Sequence, residues 1–176
     1  MIIKPENIVT VPLKIARKWC TMAYPRHKKG CPNYHKCKNS RRHRIELRDE
    51  FDLTAPIYIV WVGFSLDAHE ARMQNKHPDW TEAQCRNLMY WQPSVDRQLK
   101  DRVNKVAYEN ELYGYSPVYE GYGLNVFLTC YKSGIKLDRF DNLHNVRKLC
   151  FLMKRKKRVS KQSRGIGHLG IVDEEF

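Results

Sequence analysis

Cysteine and histidine side chains concentrate near the N-terminus of the chain. Residues 19–44 hold three of the six cysteines and three of the seven histidines. Thiolates and imidazoles are the ligands that zinc prefers, and three thiolates can also hold an iron–sulfur cluster. A Gly-Cys-Pro turn at residues 30–32 lets two sulfurs reach one ion without a long loop closure. The candidate metal ligands are Cys20, His27, Cys31, His35, Cys37 and His43.

The same segment has almost no aliphatic residues with which to build a core. It contains Pro25, Gly30 and Pro32, and it needs a ligand or the rest of the protein to hold one shape. The alternative is three unrelated thiols in a basic loop, but such thiols are usually buried among apolar neighbours that this segment lacks. We therefore expect a Zn²⁺ ion or an iron–sulfur cluster as cofactor. Three further cysteines follow apolar stripes and are expected in the core: Cys85, Cys130 and Cys150.

Positive charge is concentrated in two stretches of the sequence. The chain has 32 basic and 19 acidic residues, a formal net charge of +13 and a pI near 9.6. Residues 14–48 carry twelve Lys/Arg and a single acid, and residues 154–164 carry seven and no acid. Clustered cations favour a polyanionic partner, of which nucleic acid is the commonest, although a solvated surface with a frayed tail is the alternative. The candidate nucleic-acid-binding residues are Arg26, Lys28, Lys29, Lys36, Lys38, Arg41, Arg42, Lys154, Arg155, Lys156, Lys157 and Arg158.

The bulk composition is that of a folded domain without a membrane span. At 176 residues, 42% hydrophobic and 29% charged, the chain is long enough to bury a core. Its first ten residues lack the apolar run of a secretory signal, and its longest apolar run, residues 55–64, has about half the length that a bilayer requires. We therefore expect a cytoplasmic protein without a membrane partner, in which thiols stay reduced and a cysteine cluster holds metal.

Hydrophobic periodicity predicts a mixed α/β (α+β) fold with few strands and three or four helices. Residues 56–64 are apolar throughout and indicate a buried central strand, and residues 146–153 indicate a last strand. A capping box from Asp67 predicts a helix that stops before His77-Pro78, and a box from Thr81 predicts a helix to about Gln92. Pro93 predicts the first turn of a third helix, whose apolar residues Val95, Leu99, Val103, Val106 and Ala107 follow helical spacing. Residues 111–123 indicate a loop, and residues 124–133 fit either a strand or a helix. We expect one domain over residues 1–153, with the Cys/His metal segment at 19–44, and a basic tail over residues 154–176.

Two further groups of polar residues have alternative interpretations. His69 and Glu70 follow the predicted central strand, at the end where α/β sheets gather ligands, and are weak candidates for a catalytic acid–base pair. The favoured alternative is a capping box from Asp67 to Glu70 with an exposed histidine. The tyrosines at 113, 115, 119 and 122 could stack on bases or pack on the core.

Part of the segment resembles known metal-binding motifs. Gly30, Cys31, Tyr34 and Cys37 are similar to the middle of CCCH zinc fingers, which bind single-stranded RNA. In those fingers a histidine closely follows the third cysteine, whereas here His43 comes later, so the fourth ligand stays open between His43, His27 and His35.

A second resemblance covers most of residues 19–153. It is to a small, uncharacterised microbial family of cysteine-motif proteins, and it implies metal binding, by zinc or iron–sulfur, without a defined reaction. Members carry two prolines after their third cysteine, whereas Lys38-Asn39-Ser40 follow Cys37 here, which leaves the third ligand open. The matching stretches are Trp19-Cys20, Tyr24-Pro25, His27, Lys29–Tyr34, Asp67–His69, Arg72-Met73, His77-Pro78, Trp80, Tyr90–Gln92, Leu124–Phe127 and Gly134–Leu137.

These observations favour one function over two alternatives. We predict a metal-binding, strongly basic protein that binds RNA or DNA through residues 26–44 and 154–164. The first alternative is a metal-dependent enzyme that modifies nucleic acid or nucleotides through an open coordination position. The second is an interaction protein that binds an acidic partner surface.

Overall fold

A four-stranded antiparallel sheet organises the described part of the chain. The computed structural model describes residues 1–23, 28–30, 45–118, 120–138 and 144–157. The strands are β1 (Ile2–Ile3), β2 (Ile57–Ser65), β3 (Tyr115–Val118) and β4 (Asn145–Lys154), in the spatial order β1-β2-β4-β3. The helices are α1 (Leu13–Thr21), α2 (Leu47–Glu50), α3 (Leu66–Lys76), α4 (Glu82–Cys85), α5 (Gln92–Glu109) and α6 (Val126–Lys132). The predicted mixed α/β class is confirmed.

Strand β2 is the central strand that the sequence predicted. It pairs with β1 at Ile2–Tyr58 and with β4 along its whole length, from Tyr58–Leu152 to Ser65–Asn145. Because side chains alternate between the two faces of a sheet, a strand covered on both sides is apolar at nearly every position. This explains the unbroken apolar run of β2.

Each face of the sheet has its own hydrophobic core. On one face Ile57 and Ile59 of β2 pack with Phe151 and Met153 of β4 beneath α2 and α6. On the other face α5 crosses the sheet, and a smaller cluster forms from Val62, Leu66, Trp91 and Val95. Helix α5 has Pro93 in its first turn and packs Val95 and Leu99 on the sheet, as its apolar spacing predicted.

Helix ends agree with the sequence signals in some places and differ in others. Helix α3 ends at Lys76, before the His77-Pro78 pair, and Thr81 forms the predicted capping box with Gln84. The single helix predicted from Thr81 to Gln92 was wrong. Helix α4 ends at Cys85, because Asn87 is extended and caps a separate 3₁₀ turn at Leu88–Tyr90.

The segments that the sequence left undefined are now assigned. Within residues 124–133, Val126–Lys132 form helix α6, which Asn125 caps and which Gly134, at φ +73°, follows after Ser133. Residues 115–118, predicted as loop, form the edge strand β3, where Pro117 is tolerated because an edge strand leaves backbone donors unpaired. None of the helices within the described residues has the length and apolar character needed to cross a membrane.

Candidate functional site

Helix α1 carries the first predicted metal ligand at its C-terminal end. Leu13, Ala16 and Cys20 recur at helical spacing, and Ala16 is buried while Cys20 is half-buried. Cys20 therefore lies on the face of α1 that is turned toward the protein. The helix ends one residue later at Thr21, whose hydroxyl donates to the Lys18 carbonyl at 2.9 Å.

The chain returns to this helix end at Gly30. Gly30 is buried at φ +81°, and a Cβ built on it would lie 2.6 Å from the Cys20 carbonyl oxygen and 2.7 Å from the Thr21 Cα. Only glycine fits such an approach, because any side chain would overlap backbone atoms. Gly30, which directly precedes Cys31 in the sequence, is thus in close contact with the end of α1.

Most of the predicted metal segment lies outside the described residues. Cys20 is the single candidate metal ligand within them, and among the described residues no group of three His, Cys, Asp or Glu is arranged to hold a metal ion. The candidates that lie outside are His27, Cys31, His35, Cys37 and His43, together with the basic residues Arg26, Lys36, Lys38, Arg41, Arg42 and Arg158.

Backbone hydrogen bonds tie the start of the C-terminal basic stretch to helix α2. The amide of Asp52 donates to the Lys154 carbonyl at 2.8 Å, and the amide of Lys156 donates to the Glu50 carbonyl at 2.9 Å. The Lys156 ammonium also donates to the Arg48 carbonyl at 2.6 Å. We call residues 45–52 and 154–157 the anchor region. The N-terminal basic stretch ends in this region at Arg48 and the C-terminal one begins there at Lys154, although these residues are more than 100 positions apart in the chain.

The anchor region rests on the larger of the two cores. Phe51 is fully buried and meets the Tyr122 ring edge-on at a centroid distance of 5.2 Å. Leu47 is also buried, and Glu50 forms an ion pair with Arg155 at 3.7 Å. The exposed cations of the anchor region are therefore carried on a rigid base.

Asp67 and Glu70 bind an arginine instead of capping a helix. Ser65 is the N-cap of α3 and accepts from the Ala68 amide at 3.3 Å, so the predicted capping box from Asp67 was wrong. Arg86 contacts Asp67 at 3.5 Å and Glu70 at 2.8 Å, and Asp67 also contacts the His144 ring at 2.8 Å. These ion pairs connect α3 to the segment after α4 and to the start of β4.

His69 is buried, whereas the capping interpretation expected it to be exposed. Its ring lies 5.5 Å from the Phe64 ring, and its Nε2 is enclosed without a hydrogen-bond partner among the described residues. Burial lowers the pKa of His69, the positive charge of Arg72 lowers it further, and the Cys85 carbonyl opposes both. The neutral imidazole is therefore the form that the fold stabilises.

Of the three cysteines predicted to be core residues, Cys85 and Cys130 are confirmed, whereas Cys150 is only partly buried. Cys85 and Cys130 are fully buried, Cys150 is partly buried, and the Cys85 thiol donates to the Gln74 side chain at 3.4 Å. Burial raises the pKa of both Cys130 and Cys150 to about 11. Because metal ligands and nucleophiles are thiolates, these protonated thiols are poorly suited to either role.

The tyrosine-rich stretch divides between core and surface. Tyr122 packs on Phe51, and the Tyr115 ring meets Tyr58 edge-on at 5.9 Å. Tyr113, by contrast, is 82% exposed, and Tyr119 lies outside the described residues. The core interpretation holds for two of the four tyrosines, and Tyr113 remains available for a surface role.

No family model, curated protein or solved structure matches the chain. The residues themselves therefore carry the functional interpretation. Two features were not predicted from the sequence: the Gly30 contact and the anchor region. The Gly-Cys-Pro turn at residues 30–32 is a sequence signal for the first, whereas nothing in the local sequence indicates that Lys156 lies against α2.

The contact at Gly30 predicts a position-specific effect of adding one methyl group. Gly30→Ala should destabilise the fold by more than about 2 kcal/mol, because a left-handed backbone costs about 1 kcal/mol and the Cβ also overlaps Cys20 and Thr21. The matched control is Gly134→Ala, which has nearly the same φ of +73° but open space around its Cβ and should show the backbone cost alone. Urea unfolding measures both, and equal losses would contradict the contact.

Burial of His69 predicts a pH-dependent stability. The unfolded histidine binds a proton near its ordinary pKa of 6.5, and the buried one binds it at lower pH. The free energy of unfolding should therefore fall as the pH drops below about 6.5, by up to about 1.4 kcal/mol per pH unit. His69→Leu should flatten this dependence, and Arg72→Gln should weaken it. Urea unfolding between neutral and mildly acidic pH measures the slope, and an unchanged slope in His69→Leu would contradict the assignment.

Proposed function

We propose that the protein binds nucleic acid through its two basic stretches and that a zinc ion or an iron–sulfur cluster organises the Cys/His segment. The observation that carries the proposal is the anchor region. There the element that follows the N-terminal basic stretch is hydrogen-bonded to the first residues of the C-terminal one, at Glu50–Lys156 and Asp52–Lys154.

Charge supports a polyanionic ligand at this point of the surface. The two stretches hold 19 of the 32 basic residues of the chain, and Arg48 of the first stretch lies beside the start of the second, where its carbonyl accepts from the Lys156 ammonium. Lys154, Arg155, Lys156 and Lys157 are all exposed. A closely spaced set of exposed cations is the electrostatic footprint of a phosphate-backbone binder, since each phosphate contact releases a condensed counterion.

Metal binding is supported by the chemistry of the segment and by the Gly30 contact. A stretch with few apolar residues gains order from a bound ion when its thiolates and imidazoles converge. The close approach of Gly30 to Cys20 keeps the position before Cys31 next to the first predicted ligand. Burial raises the pKa of Cys130 and Cys150 to about 11, which disfavours their thiolate forms.

The metal proposal predicts stoichiometric zinc or iron in the purified protein. Cys20→Ser and Cys31→Ser should both lose the metal and melt at least about 5 °C lower, since about 1 kcal/mol shifts the midpoint by 2–4 °C at this size. Cys150→Ala is the control and should keep its metal, because Cys150 lies on the sheet in β4. Elemental analysis, absorbance near 400 nm and thermal melts measure these outcomes. A stably folded wild-type protein without zinc or iron would refute this part of the proposal.

The nucleic-acid proposal predicts that the binding constant falls steeply as salt rises and that the cations of the anchor region cause part of this fall. Lys154→Gln with Lys157→Gln should weaken binding, and on duplex DNA it should reduce the slope of log K against log salt by about 0.9 for each phosphate that the variant no longer neutralises. The control is Arg97→Gln with Arg102→Gln, which removes the same charge from exposed positions of α5. Fluorescence anisotropy over a salt series measures both. Salt-independent binding, or equal losses in the two double variants, would count against the anchor region as the binding surface.

A further inference from the structure

Two exposed tyrosines lie near the connection from α5 to β3: Tyr108 at the C-terminal end of α5, and Tyr113 on the turn that follows it. Tyr108 is 87% exposed and Tyr113 is 82% exposed. Single exposed aromatic residues are common on protein surfaces, so the neighbours of these rings decide whether they suit a ligand.

The backbone holds this turn in one conformation. The Leu112 amide donates to the Ala107 carbonyl at 2.9 Å, and the Tyr113 amide donates to the Glu111 carbonyl at 2.7 Å. Glu111, at φ +50°, and Gly114, at φ +75°, both have left-handed backbone conformations. Tyr113 therefore lies on a hydrogen-bonded turn between α5 and β3.

The same turn is hydrogen-bonded to the C-terminal basic stretch. The Arg155 amide donates to the Gly114 carbonyl at 2.8 Å, which continues the β3–β4 pairing beyond its last pair, Tyr115–Lys154. Tyr113 is thus adjacent in sequence to the residue that binds Arg155. The exposed cations from Lys154 to Lys157 follow this contact directly.

We infer that Tyr113 is a stacking site for an unpaired base and that the ligand is a single-stranded nucleic acid; this inference rests on the proposed function. Single-strand binders combine a positively charged path for the backbone with aromatic rings on which bases stack. Tyr113 supplies the ring, and Lys154 to Lys157 supply the cations, on the strand end that is hydrogen-bonded to the neighbouring Gly114. In a duplex the bases are already stacked on each other, so this ring would gain nothing there.

Acidic groups also lie near the turn. Glu109 pairs with Lys105 at 3.7 Å, and Glu50 pairs with Arg155 at 3.7 Å. Asp52, whose amide donates to the Lys154 carbonyl, and the exposed Glu111, the carboxylate nearest to Tyr113 in sequence, should repel a phosphate backbone. Residues 154–157 carry four positive charges, of which the ion pair with Glu50 offsets one, so the segment beside Gly114 stays basic.

Other exposed aromatic groups fit a base less well. The rings of His77 and Trp80 stack on each other at 4.0 Å, and the Tyr90 ring lies 5.1 Å from the Trp80 ring, so Trp80 already has two ring neighbours. Asp79 and Glu82 belong to the same stretch and would repel phosphate. Among the exposed rings of the described residues, Tyr113 has the closest connection to a run of cations.

The experiment compares single and double strands on the full-length, metal-loaded protein. Fluorescence anisotropy would use a labelled oligothymidylate and a labelled DNA duplex with the same number of phosphates, at one salt concentration. Tyr113→Ala should weaken binding of the single strand about tenfold, the effect of losing one stacked base, and leave duplex binding unchanged. Tyr113→Phe keeps the ring and should retain the wild-type affinity.

The matched control is Tyr131→Ala, which removes a tyrosine that is 80% exposed on α6. It should change neither affinity, and thermal melts should show that all three variants fold. If Tyr113→Ala leaves single-strand binding intact, or weakens both probes equally, the stacking site is overturned while the proposed function stands. If the wild-type protein binds neither DNA probe nor the corresponding RNA single strand and duplex, the proposed function fails together with the stacking site.

Discussion

Two glycine contacts hold helix α1 against the rest of the protein. At its N-terminal end a Cβ on Gly123 would lie 2.4 Å from the Val11 carbonyl oxygen, and the Val11 amide donates to the Gly123 carbonyl at 2.8 Å. At its C-terminal end Gly30 makes a similarly close approach to Cys20. A helix of nine residues is marginal by itself, and this one buries Ala16 alone. Its position therefore depends on backbone contacts that only glycine permits.

The central strands position everything else that bears on function. Strand β4 runs from the His144–Asp67 contact at its start to the anchor region at its end, and it is hydrogen-bonded to β2 over eight residue pairs. Because that pairing is buried on both faces, the exit of the basic stretch at Lys154 is fixed relative to α2 and to the Tyr113 turn. The exposed basic residues at the end of β4 are thus attached to a strand that is paired with β2 on one side and with β3 on the other.

The sequence predicted those features whose cause is local. The apolar run of β2, the capping box at Thr81 and the proline at the start of α5 each depend on neighbouring residues, and each was confirmed. The core positions of Cys85 and Cys130 followed from apolar periodicity in the same way.

The predictions that failed depended on tertiary contacts or on competition between local signals. Ser65, two residues before Asp67, is the N-cap of α3, and Asp67 and Glu70 instead contact Arg86, which is distant in sequence. Strand β3 escaped prediction, since Tyr115 to Val118 become a strand only by pairing with β4. The anchor region could not be predicted for the same reason: it joins residues more than 100 positions apart.

Opposite charges meet in the anchor region. Residues 45–52 contain Arg48 but also four acids, Glu46, Asp49, Glu50 and Asp52, and Glu50 forms an ion pair with Arg155 at 3.7 Å. The basic residues 154–157 are therefore held against a partly acidic segment, above the buried side chains of Phe51 and Leu47. Repulsion in this protein is instead general, since the whole chain has a net charge of +13. A polyanion that binds the exposed lysines would relieve part of this repulsion, so its binding energy would add to the stability of the fold and would couple ligand binding to folding through charge.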